Sequence, residues 1–201
     1  RPSSIEPRVA MSTITLPDGL ALSRILAVPA IMWLIVGPAQ APDAWGARIL
    51  AAALAGLAAL TDLIDGYLAR RWGMTTLLGA FLDTTADKLL VSGLLMALVA
   101  RDGKVWLWPA IIMIAREILI MSLRGLAAID GTFIRPSLWG KYKATIQYFA
   151  LPAAILGWRP GGLPLDTALM WTATVATLLS GWDYLRDMWP ILTGEVGRRA
   201  S

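Results

Sequence analysis

Residues 62–87 read D-L-I-D-G-Y-L-A-R-R-W-G-M-T-T-L-L-G-A-F-L-D-T-T-A-D. Four carboxylates, Asp62, Asp65, Asp83 and Asp87, and the guanidinium of Arg70 fall within this stretch, between two long apolar runs. Asp62 itself sits inside an apolar run, A-A-L-T-D-L-I-D, and a short side chain cannot reach far toward water. Ionised groups at membrane depth are costly and mark function when they occur. A bound cation is the simplest compensation for several of them at once. Asp62, Asp65 and Ala69 follow i, i+3, i+7 spacing, one face of a helix. Asp83 and Asp87 follow i, i+4 spacing on the next helix. The short turn between the two segments predicts antiparallel neighbours whose carboxylates share one cleft.

The rest of the chain supports a membrane reading. It has 201 residues, of which 57% are hydrophobic, more than a soluble domain of this length can bury. Apolar runs near the ~20 residues needed to cross a bilayer recur along it. We predict an all-α membrane protein with six transmembrane helices, at about 20–36, 46–71, 76–100, 105–128, 138–157 and 165–192. The breaks carry turn signals: G-P-A-Q-A-P-D, R-R-W-G-M, R-D-G-K, I-D-G-T-F-I-R-P-S and W-R-P-G-G-L-P. Residues 11–201 read as a single domain, and residues 1–10, before Met11, as an added remnant or a polar tail. The first apolar run reads as a retained helix.

An even number of spans places both termini on one side. One face then holds Arg48, Arg101, Lys104 and Arg159, and the other basic residues lie on or toward the opposite face. The positive-inside rule makes that richer face cytoplasmic, with the Asp cluster and both termini on it. The net charge of +4 fits topology and anionic lipid, and no nucleic-acid partner is expected. Trp106, Trp108, Trp139, Trp158, Trp171, Trp182 and Trp189 lie mostly near span ends, as an interfacial aromatic belt would.

The chain has no cysteine and no histidine. Thiolate nucleophiles, Cys/His zinc sites and imidazole bases are therefore excluded, and proton transfer falls to Asp, Glu, Lys or Tyr. An all-oxygen ligand set favours Mg²⁺ or Mn²⁺, with Ca²⁺ less suited to a small phosphate-bridging site. Four carboxylates suit two ions, or one ion and a general base. Gly66, Ala69 and Gly79 are small positions that let helices or a flat substrate approach closely. Arg70 offers a planar fork for phosphate oxygens.

Further polar residues interrupt the later apolar spans. I-A-R-E-I-L-I-M-S-L-R places Arg116, Glu117 and Arg124 in the fourth, and G-K-Y-K-A-T-I-Q places Lys141, Lys143 and Gln147 at the start of the fifth. Two arginines and two lysines near one face suit the phosphate of an anionic acceptor. Glu117 is the expected charge partner of Arg116, and interfacial anchoring is the competing account of Lys141 and Lys143.

The pattern D-x2-D-G-x2-A-R-x8-G-x3-D-x3-D resembles, at every fixed position, that of the CDP-alcohol phosphotransferase family. The resemblance implies a six-helix membrane fold, a homodimer, a divalent-metal site, and transfer of a phosphatidyl or similar group from a CDP-linked donor to an alcohol with release of CMP. It implies metal binding by Asp62, Asp65, Asp83 and Asp87, with Asp87 also the general base. It further implies CDP contacts from Asp62, Gly66, Ala69, Arg70 and Gly79. The segments L-A-R-R-W, G-A-F-L-D-x-x-A-D-K, I-A-R-E-I and G-K-x-K-x-x-x-Q look like the branch of bacterial phosphatidylglycerophosphate synthases. That branch implies CDP-diacylglycerol as donor, sn-glycerol 3-phosphate as acceptor, and a place in the bacterial cytoplasmic (inner) membrane. Asp18 and Ala21 depart from the Asn and Thr common in that branch, and Thr84 from the family's Pro. Arg24 matches and could support the site from the first helix.

Two alternatives follow from the same residues. One keeps the family and changes the acceptor to inositol phosphate or phosphatidylglycerol. The other is an ion-coupled transporter using the four Asp as its cation site; against it stand the short chain and the lack of an evident inverted repeat.

Overall fold

The computed structural model describes residues 16–40, 44–72, 77–129 and 138–193; within these helices it leaves undescribed the side chains at 16, 17, 39, 40, 63–72, 77, 129, 138, 139, 141 and 190–192. Six helices account for nearly all of it: α1 (Leu16–Val36), α2 (Ala44–Trp72), α3 (Leu77–Asp102), α4 (Lys104–Ile129), α5 (Leu138–Leu156) and α6 (Leu165–Leu192). Two short 3-10 turns, Gly37–Gln40 and Pro160–Gly162, lie between them. The predicted spans and the observed helices coincide to within a few residues. Among the described residues, three helices are long and apolar enough to cross a membrane, over Asp18–Val36, Ala44–Asp62 and Lys104–Ala128. Of the other three, α3 and α5 are interrupted by charges of the site described below, and α6 by Asp183, Arg186 and Asp187.

Local chemistry explains the helix ends. Asp18 is buried in the first turn of α1, where a carboxylate meets the positive end of the helix dipole. One residue, Gly103, turns α3 into α4: its φ of +66° is open to glycine, and its N–H closes on the Val99 carbonyl at 2.8 Å. The end of α5 is a Schellman arrangement around Gly157 (φ +64°), in which Trp158 N–H donates to Ala153 O at 3.0 Å and Gly157 N–H to Ala154 O at 3.2 Å. Pro29, Pro109 and Pro152 sit inside helices, as membrane helices tolerate when neighbours satisfy the freed carbonyls.

The core is one apolar cluster running through the bundle, with Ile31, Ile35, Leu94, Leu98, Ile155 and Met170 fully or almost fully buried. Alanines line the inward face of α2 (Ala51, Ala55, Ala58) and let α1 and α5 pack close to it. At Gly93 of α3 a Cβ would meet Val28 Cγ1 of α1 at 2.7 Å, so no larger residue fits that crossing as it stands. Large apolar side chains also face outward on every helix, among them Leu26, Trp45, Phe81, Trp108, Phe149 and Trp182. Helices apolar on both faces are what a lipid solvent requires. Trp108, Trp158, Trp171, Trp182 and Trp189 are exposed as a belt predicts, whereas Trp106 is buried and bonds Asp102.

The packing departs from expectation at one point. Among the described residues α2 and α3 touch only slightly; α1 packs against both and stands between their carboxylates. Asp62 and Asp83 therefore meet through a side chain of α1 rather than by direct helix contact. Cross-helix bonds also fix direction. The N-terminal half of α1 meets the C-terminal half of α2 and the start of α3, and α4 runs parallel to α6. Odd-numbered helices run one way and even-numbered ones the other.

Candidate active site

All six helices contribute polar side chains to one end of the bundle. Arg24, buried on α1, bonds Asp62 of α2 and, through Nη2, Asp83 Oδ1 of α3 at 3.1 Å. Tyr148 of α5 places its hydroxyl 2.8 Å from Asp62 Oδ2 and 3.1 Å from Asp87 Oδ1, so one proton is shared between carboxylates of two helices. The other oxygen of Asp87, Oδ2, accepts from Lys88 at 2.9 Å. Lys88 also reaches Glu117 Oε2 of α4 at 2.6 Å.

Glu117 is the hub of a second group. Its carboxylate pairs with Lys88, with Arg116 at 3.1 Å and with the buried Lys143 of α5. Arg116 Nη2 continues to Ser180 Oγ of α6 at 2.6 Å. Eight residues further along α4, Arg124 Nε donates to the hydroxyl of Tyr184 at 2.7 Å. Gln147 is buried between these groups with its amide 3.3 Å from Met113 Sδ. The carboxylate wall and the basic wall face each other across a cavity of about 630 Å³ that reaches from Asp62 and Asp83 to Arg124 and Tyr184. That volume is in the range of small-molecule sites.

Helical spacing explains the convergence. Asp83 and Asp87 are one turn apart on α3, Lys143 and Gln147 one turn apart on α5, and Ser180 and Tyr184 one turn apart on α6. Burying so many charges is expensive, and breaking such a network leaves uncompensated ions. A carboxylate or guanidinium at each node offsets part of that cost, and the open cavity leaves room for a charged ligand.

The predicted residues fall out as follows. Asp62, Asp83, Asp87, Arg116, Arg124 and Lys143 line the cavity, together with Glu117 and Gln147. Arg24 stands behind the carboxylate wall. Gly79 lies in the first turn of α3. The side chains of Asp65, Gly66, Ala69, Arg70 and Lys141 lie outside the described residues, although all five positions are helical. Thr84, in the family's Pro position, sends its hydroxyl back to Ala80 O at 2.8 Å within α3. Sequence reasoning did not single out Tyr148, Lys88, Ser180 or Tyr184. Lys88 follows Asp87 directly and closes the segment G-A-F-L-D-x-x-A-D-K, and these were the signals available for it.

A divalent ion can be tested against these donors. Among the described residues no three acidic side chains converge closely enough to hold a metal on their own. The charge pattern nevertheless suits a cation. The Arg24 guanidinium already sits between Asp62 and Asp83, the donors are all oxygen, and Asp83 is half-exposed. Hard divalent ions such as Mg²⁺ or Mn²⁺ match that donor set.

Comparison with known proteins gives a consistent picture. The sequence profile of the CDP-alcohol phosphatidyltransferase family matches residues 14–179. The chain is 35% identical over 191 residues to the CDP-diacylglycerol–glycerol-3-phosphate 3-phosphatidyltransferase of Bacillus subtilis, a match that covers 88% of this chain and 96% of the relative. It is 39% identical over 183 residues to the protein of that name from Yersinia enterocolitica, covering 88% and 96%. The Rickettsia bellii protein of that name is 34% identical over 177 residues, covering 85% and 93%.

Proposed function

The chain belongs to the CDP-alcohol phosphatidyltransferase family, and on that premise we propose that it transfers the phosphatidyl group of CDP-diacylglycerol to sn-glycerol 3-phosphate, giving phosphatidylglycerol phosphate and CMP. The observation that carries this reading is the cavity with carboxylates on one wall and Arg116, Arg124 and Lys143 on the other. An anionic acceptor needs the second wall, and a diphosphate donor with its cations needs the first.

The acceptor hydroxyl attacks the phosphorus that bears the diacylglycerol. The new P–O bond forms as the bond to CMP breaks, CMP leaves as the anion, and the hydroxyl proton passes to a carboxylate. Asp87 takes that proton. It lies on the cavity wall beside Lys88, and an Asp accepts a hydroxyl proton in the same way in kinases. The shared Tyr148 proton keeps Asp87 oriented toward Asp62. Divalent ions, Mg²⁺ or Mn²⁺ and two in number, when held by Asp62, Asp65, Asp83 and Asp87, supply charge neutralisation at the diphosphate. Gly66, Ala69, Arg70 and Gly79 are assigned to the CDP group. Arg116, Arg124, Lys141 and Lys143 bind the acceptor phosphate, and Glu117 holds Lys88, Arg116 and Lys143 in place between turnovers.

We place the protein in the bacterial inner membrane as a six-span homodimer with both termini and the active site on the cytoplasmic side. The alternating helix directions and the four basic residues Arg48, Arg101, Lys104 and Arg159 at the far end support that orientation. The test is an acceptor panel. CDP-diacylglycerol is supplied with glycerol 3-phosphate, inositol phosphate or phosphatidylglycerol, with and without EDTA, and CMP release is followed. Release with glycerol 3-phosphate, lost in EDTA and restored by Mg²⁺ or Mn²⁺, is expected. Release with another acceptor alone would refute the assignment, and substrate counterflow without CMP would point to a transporter.

A further inference from the structure

The basic wall of the cavity is braced by residues that the family match does not reach. That match ends at residue 179, and Ser180, Gly181 and Tyr184 follow on one stretch of α6. Ser180 is fully buried and Tyr184 nearly so, at 3% exposed, yet both line the cavity. Ser180 Oγ accepts from Arg116 Nη2 at 2.6 Å. The Tyr184 hydroxyl accepts from Arg124 Nε at 2.7 Å, and the Arg124 guanidinium lies 5.2 Å from the centre of the Tyr184 ring. Between them, Gly181 leaves the space along which the Arg116 stem runs: a Cβ there would meet Arg116 Cγ at 3.2 Å.

A guanidinium presents its donors in one rigid plane, and its value for phosphate lies in how that plane is set. An arginine fixed through Nε turns its two terminal nitrogens to the opposite edge, the arrangement that grips two oxygens of one phosphate. A stem and one terminal nitrogen fixed against α6 likewise set the plane of Arg116. We infer that Ser180 and Tyr184 are positioning residues that orient Arg116 and Arg124 for the phosphate monoester of the acceptor, so that the second half of α6 sets acceptor specificity. This rests on the reading of Arg116 and Arg124 as the acceptor side.

Tyr184→Phe tests it by removing one hydroxyl and keeping the ring. The KM for glycerol 3-phosphate is expected to rise about tenfold, as loss of a charged hydrogen bond would produce, with the KM for CDP-diacylglycerol within about twofold. In an Arg124→Ala background the same change is expected to do almost nothing, because the group it orients is gone. Ser180→Ala should behave in the same way against Arg116. Equal shifts in both KM values, no shift in either, or full additivity with Arg124→Ala would overturn the assignment. Turnover by the wild type with inositol phosphate alone would instead overturn the choice of glycerol 3-phosphate. The comparison is then made with inositol phosphate, whose monoester calls for the same two guanidinium planes, and the same outcomes decide it.

Discussion

The two ends of the bundle treat charge differently. At the end away from the cavity, ionic groups pair with close neighbours and with helix termini. Arg101 bonds Asp102 at 2.6 Å and caps α5 by donating to the carbonyls of Ile155 at 2.7 Å and Ala154 at 2.9 Å. Trp106 donates to Asp102 at 2.7 Å, and Arg159 reaches Asp166, which in turn accepts from the Thr167 N–H at 2.7 Å. At the cavity end the partners come from different helices, as in Arg24 with Asp62 and Asp83, or Tyr148 with Asp62 and Asp87. The first arrangement closes helix ends and leaves nothing to do. The second holds charge around open space, against a desolvation cost that the fold alone gives no reason to bear.

Substitutions can break or sharpen this contrast. The largest effect is expected at Asp87→Asn. Turnover should fall about 10³-fold, in the range of a lost general base, while metal-dependent CDP-diacylglycerol binding persists; unchanged turnover would remove Asp87 from that role. Next is Arg116→Ala, which should raise the KM for glycerol 3-phosphate at least tenfold more than that for the lipid; equal changes would take Arg116 out of the acceptor pocket. Tyr148→Phe follows, with kcat about tenfold lower, as expected when one hydrogen bond to an ionised group is lost, and the midpoint of thermal unfolding little changed. The smallest effect on activity is at the far end. Arg101→Ala should leave turnover within about twofold and instead lower the thermal midpoint by a few degrees, from about 2 kcal/mol of lost charged hydrogen bonds. If Arg101→Ala abolished turnover without loss of stability, the contrast between the ends would fail.

Much of this was legible in the chain. Apolar run length and Gly/Pro breaks locate the helices, because lipid leaves the backbone few alternatives. The spacing of Asp62, Asp83 and Asp87 marks the carboxylate wall, and charges inside apolar runs mark Arg116, Glu117 and Lys143. Packing order was not legible. The short link after Trp72 pointed to α2 against α3, yet α1 stands between their carboxylates, since small side chains on α2 and Gly93 on α3 favour it as the partner of both. Nor was the role of Tyr148, Ser180 or Tyr184. A tyrosine or serine in an apolar helix looks like an interfacial or packing residue until a partner from another helix is seen. Glu117 shows the limit of local pairing: its neighbour Arg116 was foreseen, but Lys88 and Lys143 come from α3 and α5.

The turn at Gly103 ties the two walls together. Asp87 and Lys88 ride on one arm of a hairpin and Arg116 and Glu117 on the other, with the one-residue turn between them at the end of the bundle away from the cavity. Residues of both walls thus sit on one continuous hairpin, and the Lys88–Glu117 pair at 2.6 Å joins its two arms at the cavity.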